Sequence, residues 1–223
     1  MRKIVLFVSL MASSFLALSQ DPKTPVKLGF YNALNISTRA ANFEDEAKSL
    51  VGYGFGGLLK IKTSKDLGLV IRIGLDHQGW AFKNLTFLNP PNLVDGDVFY
   101  DLTYVNFAVM PEYETAGRIK FIVSAGPYLG LLAKQRVKIK YDNPPPGEDD
   151  EQTFDGDDNL KKGNWGLTAH TGVLFPIGDR IALDLGVRYL LGLSNIYPES
   201  PSGDEKTMTR TFSVLLGLRF DLK

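Results

Sequence analysis

Apolar and polar positions alternate with a period of two along most of this chain, and the alternation is cleanest near its end. Ile181, Leu183, Leu185, Val187, Tyr189, Leu191 and Leu193 interleave with Ala182, Asp184, Gly186, Arg188, Leu190, Gly192 and Ser194. Met208, Phe212, Val214, Leu216, Leu218, Phe220 and Leu222 interleave with Thr209, Thr211, Ser213, Leu215, Gly217, Arg219 and Asp221. Successive side chains of a strand point to opposite faces, so each segment reads as a strand with one bulky apolar face and one small or charged face. Six earlier segments fit the same template, roughly 26–38, 48–63, 67–83, 98–114, 117–140 and 163–176; with 180–195 and 207–222 they make eight. In the fourth, the start at Phe99-Tyr100-Asp101 falls out of phase, which predicts a bulge there.

The connections alternate in length. Short turns are expected at Ser64-Lys65-Asp66, Glu114-Thr115-Ala116 and Ile177-Gly178-Asp179, and long polar links at 39–47, 84–97, 141–162 and 196–206. Short turns on one rim and long loops on the other characterise outer-membrane barrels, whose long loops lie outside the cell. The predicted fold is therefore all-β: a closed, antiparallel, up-and-down transmembrane barrel of about eight strands. After Ser19 no apolar run is long enough for a spanning helix, and only helices and closed barrels satisfy the whole backbone in hydrocarbon.

Alternation alone does not separate this fold from a soluble lipocalin-like barrel with its apolar face turned inward. The small-or-charged face bears on that choice. Eight strands leave an interior that side chains just fill, and glycines such as Gly54, Gly74, Gly126 and Gly186 leave room for long charged chains to cross it. The expected lumen network is Lys60, Arg72, Asp76, Glu112, Lys120, His170, Asp184, Arg188 and Arg219, partnering one another and plugging the lumen. A three-residue turn at 177–179 sets His170 opposite Gly186, with Asp184 and Arg188 one step to either side. His170 is then a satisfied lumen histidine or, on a functional reading, a proton carrier. His77 points away from its neighbour Asp76, so the two form no dyad.

The N-terminus changes the compartment. Basic Met1-Arg2-Lys3, an apolar run from Ile4 to Leu18, and small Ala17 and Ser19 form a signal-peptide pattern with cleavage between Ser19 and Gln20. Residues 1–19 are the expected signal peptide, and 20–223 the barrel domain of an exported, outer-membrane protein. The absence of cysteine excludes disulfides, thiolate metal sites and a lipidated N-terminal Cys. With 25 basic and 25 acidic residues, no net field points to nucleic acid.

The stretches Tyr104 to Pro111, Gly126-Pro127-Tyr128-Leu129-Gly130 and Gly186 to Asn195 resemble the PorT-like outer-membrane β-barrel family of Gram-negative bacteria. The resemblance spans Gln20 to Lys223; Ala108 and Met110 stand where that family more usually has Leu or Ile. It implies the barrel fold and the outer membrane, with no catalytic motif to carry over. The namesake's association with secretion across the envelope makes a secretion-accessory role one expectation.

Other candidates are few. The loop 141–162 carries Glu148, Asp149, Asp150, Glu151, Asp155, Asp157 and Asp158 after Pro144-Pro145-Pro146. Asp155, Asp157 and Asn159 have the spacing that opens a calcium loop, but Leu160 replaces its Gly and no Glu closes it. A solvated, mobile acidic loop is expected, with weak divalent-cation bridging to lipopolysaccharide or a partner as the alternative. Two histidines and no cysteine, with no base beside the many Ser and Asp, argue against an enzyme, and no cofactor or metal site is expected. Phe220, on the lipid-facing phase of the last strand, is the expected signal to the barrel-assembly machinery. The function expected is binding, assembly or secretion support through the extracellular loops. The expected surroundings are outer-membrane lipid, lipopolysaccharide and an envelope protein partner. A small-solute channel, a rim enzyme and a lipocalin-like carrier are the alternatives.

Overall fold

The computed structural model describes residues 26–41, 47–89, 92–142, 144, 149–156, 160–197 and 207–222. The expected signal peptide and its cleavage point lie outside the described residues. Nine strands follow in order: β1 (Val26–Ala41), β2 (Lys48–Lys62), β3 (Leu67–Asn89), β4 (Asn92–Glu114), β5 (Lys120–Tyr141), β6 (Glu151–Asp155), β7 (Gly163–Pro176), β8 (Ile181–Gly192) and β9 (Thr207–Leu222). Eight of them form an antiparallel ring, β1-β2-β3-β4-β5-β7-β8-β9, which closes because β9 also pairs with β1. That seam runs the whole length of both strands, from Val26↔Leu222 to Ala41↔Thr207, so the ring itself has no open edge. The shortest ring strand, β8, has 12 residues, still enough to cross a bilayer core at the usual tilt.

The face assignment follows the sequence pattern. Phe30, Leu34, Phe55, Ile73, Phe107, Phe121, Leu185 and Leu216 are exposed around the outside, whereas Lys60, Arg72, Asp76, Glu112 and Arg219 are almost wholly buried within. Two close approaches show why the inner face needs glycine. A Cβ on Gly74 would lie 2.2 Å from the Tyr31 hydroxyl, and one on Gly54 would lie 2.3 Å from Asp76 Oδ1. On the short-turn rim, Gly117 adopts φ 118°, which favours glycine, in the turn from β4 to β5.

Four expectations are corrected. Most of the link 84–97 is not a loop, because β3 and β4 stay paired from Leu85↔Gly96 to Asn89↔Asn92. Part of the link 141–162 is also strand: β6 pairs with β5 from Arg136↔Asp155 to Lys140↔Glu151. β6 has Phe154 as its one apolar residue, and in 85–89 Phe87 and Leu88 stand next to each other, so neither stretch shows the apolar alternation of a strand.

The third correction concerns phase. β4 keeps its inside-outside alternation from Gly96 to Glu114 with no bulge at Phe99-Tyr100-Asp101. The pattern looked broken because Tyr100, Leu102 and Tyr104 are apolar yet face inward, and Asp101 and Thr103 face outward. The extra residue lies opposite, at Ala133 of β5, where Thr103↔Lys134 is followed by Tyr104↔Leu132. Fourth, the β7–β8 turn sits one residue later than 177–179: Ile177 N–H donates to Ile181 O, which leaves 178–180 as the turn and moves the register by two. His170 therefore faces Arg188, and Gly172 faces Gly186; an even shift keeps every side chain on its expected face.

The filled lumen and its rims as a candidate functional site

The lumen is packed in layers, and inward residues at every second position of each strand supply them. Nearest the short-turn rim is an ionic layer. Arg219 donates through Nε to Asp184 Oδ2 at 2.8 Å and through Nη1 and Nη2 to the two oxygens of Glu112 at 2.7 and 3.1 Å. Lys60 lies 2.7 Å from Glu112 Oε1 and also donates to Glu114. Lys120, part-exposed at the rim, donates to Glu114 Oε1 at 2.5 Å. Glu114 belongs to this layer although it was read as a turn residue. Its signal was its position two residues after Glu112, on the same face.

A second cluster centres on Asp76. Its Oδ1 accepts from Arg188 Nη2 at 2.6 Å and from Asn35 Nδ2 at 3.1 Å, and its Oδ2 accepts from Asn106 Nδ2 at 2.8 Å. Arg72 and Arg188 both lie over the Tyr31 ring, 5.0 and 5.6 Å from its centroid. Arg72 was expected to pair with a carboxylate; among the described residues it forms no ion pair. Asp76 is taken by Arg188 and two asparagines, and Asp184 by Arg219, so the ring of Tyr31 is what Arg72 meets. His170 is buried with neither ring nitrogen hydrogen-bonded among the described residues, so it is not the satisfied lumen histidine expected. Tyr31, Asn35 and Asn106 complete the cluster although they carry no charge to mark them in the sequence.

The upper lumen corrects the picture of a wholly polar plug. Trp80, Leu102 and Tyr104 form an apolar cluster with Leu160 and Ile196, which come from the two long links and cover the mouth. Trp80 stacks on Tyr100 with ring centroids 5.1 Å apart. The links are tied to each other and to the barrel, as Lys161 N–H donates to Ile196 O at 2.7 Å and Ile196 N–H to Thr207 O at 3.0 Å. A further interior cluster, including Leu58, Val70, Met110 and Leu190, flanks the polar groups. An interior this narrow is filled by side chains, so its inner face packs much like an ordinary core.

Outside the barrel, His77 does face away from Asp76. Its Nδ1 lies 3.3 Å from Asp101 Oδ1 and 3.2 Å from Thr103 Oγ1, and its ring sits 4.3 Å from that of Tyr53. In the acidic link, Asp155 accepts from Arg136 Nε at 3.1 Å, which holds its carboxyl below the usual carboxylate range, and Glu151 lies 2.8 Å from Lys138. Asp149 and Asp150 are exposed, with Asp150 O accepting from Tyr141 N–H. Glu148, Asp157 and Asp158 lie outside the described residues, as does Asn159 of the calcium-like spacing. Among the described residues no group of three His, Asp or Glu is placed to hold a metal. Phe220 faces outward on β9, edge-on to Phe30 with ring centroids 6.4 Å apart.

The sequence is similar in structure to Neisserial surface protein A at 13% identity, covering 86% of this chain and 96% of that one with a TM-score of 0.46. It is similar to OprG from Pseudomonas aeruginosa at 11% identity, covering 89% and 95% with a TM-score of 0.48. Ail, the attachment invasion locus protein of Yersinia pestis, gives 14% identity, 88% and 99% coverage and a TM-score of 0.41. No curated protein matches the sequence. The family described as outer membrane protein beta-barrel domain matches residues 19–197, most of the chain. With a closed ring of eight strands, an apolar exterior and an interior filled by side chains, this chain belongs to the outer membrane protein beta-barrel domain family, and its place is the outer membrane.

Proposed function

We propose that this barrel is a non-enzymatic binding, assembly or secretion-accessory component of the cell envelope, acting through its extracellular side. The observation that carries this reading is the contrast between a blocked lumen and a built-up long-loop rim. The β3–β4 and β5–β6 ribbons rise there with outward-facing charges of both signs, including Asp101, Arg136, Lys138, Glu151 and Asp155. Such a rim meets lipopolysaccharide headgroups and suits an envelope protein partner, since mixed charge gives specificity of docking. The resemblance to the PorT-like family favours the secretion-accessory version. The test is crosslinking and pull-down from intact outer membranes, comparing the full protein with one trimmed of residues 144–158. The expected result is a partner captured by the full protein and lost from the trimmed one at equal membrane levels. Equal capture by both would remove the loop from the proposal.

A small-solute channel is the second reading, and the packing disfavours it. The ionic layer, the Asp76 cluster and the apolar cap each close the path, and open aqueous channels belong to barrels of about 16 strands. Planar-bilayer recordings of the refolded protein are expected to show no stable conductance. Large, steady single-channel currents would reverse the order of the two readings.

A further inference from the structure

The short-turn rim holds a cavity of about 180 Å³ that none of the interactions above explains. It is lined by five cations, Lys27, Arg118, Lys120, Arg180 and Arg219, against two carboxylates, Asp179 and Asp221. Its floor is buried Arg219 and Leu174, below the ionic layer, so it is a dead end and not a passage. We infer that this periplasmic mouth is a binding site for an oxyanion group, carboxylate or phosphate, carried by a periplasmic molecule. The inference concerns the rim opposite the one that carries the proposed function, and the two stand or fall separately.

The charges in the cavity are unequally used. Arg219 is spent on Glu112 and Asp184, Lys120 donates to Glu114, and Lys27 lies 3.0 Å from Asp221. Arg118 and Arg180 have no hydrogen bond or ion pair through their side chains among the described residues, and only Asp179 remains to oppose them. They come from neighbouring turns, the β4–β5 turn and the β7–β8 turn, which adjoin because β5 pairs with β7. Two guanidinium groups beside one cavity match an oxyanion, since each planar fork can donate two parallel hydrogen bonds to it.

The direction of opening decides the source of the anion. Lys27, Lys120, Leu174, Ala182 and Arg219 all stand at inward positions of their strands, so the cavity opens along the barrel axis. Phospholipid headgroups lie around the outside of the ring, against the opposite face. A soluble periplasmic group therefore has the direct approach. The volume equals about six water molecules, enough for one oxyanion with a short substituent.

The experiment uses the whole barrel refolded in uncharged detergent, titrated with inorganic phosphate and with citrate while the Nε–H signals of Arg118 and Arg180 are followed by NMR. Saturable shifts are expected with at least one of the two anions. In the double variant Arg118→Gln/Arg180→Gln calorimetric affinity should fall tenfold or more, whereas Lys48→Gln/Lys65→Gln, with the same loss of charge outside the mouth, should bind as the parent does. All four positions are exposed, and the mobility shift on heating verifies that each variant folds. A third arm places the protein in nanodiscs with or without phosphatidylglycerol. No saturable shift with either anion, or equal weakening in the two double variants, overturns the site. Shifts seen only in the anionic nanodiscs also overturn it, by making a lipid headgroup the occupant.

Discussion

Replacing Asp76 with Ala is expected to destabilise the folded barrel by about 3–5 kcal/mol, the range for removing one partner of a buried ion pair. The carboxylate is completely buried and holds Arg188, Asn35 and Asn106 together, so its loss leaves a guanidinium and two amides turned toward an empty space. The cost comes mainly from the stranded Arg188 charge, because a buried cation without a counter-charge keeps its desolvation penalty and loses its compensation. That account makes a second expectation. Replacing both partners, Asp76→Leu with Arg188→Met, should cost less than Asp76→Ala alone, since no charge is then left buried. Equilibrium unfolding in urea, with the protein refolded in lipid vesicles and followed by tryptophan fluorescence, measures both. A loss below about 1 kcal/mol for Asp76→Ala would mean that water reaches Arg188 and that the cluster does not seal the lumen.

The parts of this molecule that were readable in advance are those where lipid and lumen impose opposite demands on alternate residues. In β8 and β9 the lipid-facing phase is bulky and apolar and the inner phase small or charged, so the face of each residue followed from the period alone. The same logic placed Arg219, Glu112 and Asp184 inside. It failed where the inner phase is itself apolar. Trp80, Leu102 and Tyr104 line the lumen, so the upper halves of β3 and β4 show no contrast between faces, and β4 looked out of phase when it is not. It also failed above the membrane, where water bathes both faces of a ribbon, so a short strand such as β6 needs no apolar face to mark it. Which cation meets which carboxylate was not readable either. The β7–β8 turn sits one residue later than its sequence suggests, which shifts His170 from Gly186 to Arg188, and partner choice across the lumen depends on the order of strands around the ring. Arg72 shows the consequence: its charge and inward position were evident, but its neighbour is the Tyr31 ring, a contact no spacing encodes.

The seam between first and last strands is where a single outward residue is expected to have the largest effect on biogenesis. β9 must pair with β1 along its whole length for the ring to close, and Phe220 sits at the periplasmic end of that seam opposite Leu28, with Ile181 of β8 on its other side. Its ring meets Phe30 edge-on, so this end of the seam carries an aromatic pair on the lipid-facing side, where amphipathic and aromatic groups favour the membrane interface. An aspartate there would place a charge against lipid and remove the pair, at the end of the chain that the assembly machinery is expected to engage. Phe220→Asp should therefore lower the outer-membrane level several-fold and leave degraded protein in the periplasm, as read by immunoblot of separated envelope fractions. Phe154→Asp serves as the comparison, because Phe154 is equally aromatic and more exposed but lies on β6, outside the ring. That variant should insert normally. If both variants reach the membrane at the parent level, the terminal strand gives no delivery signal through Phe220, and closure of the β1–β9 seam is left to backbone pairing alone. If both fall equally, the effect belongs to any added surface charge and not to the seam.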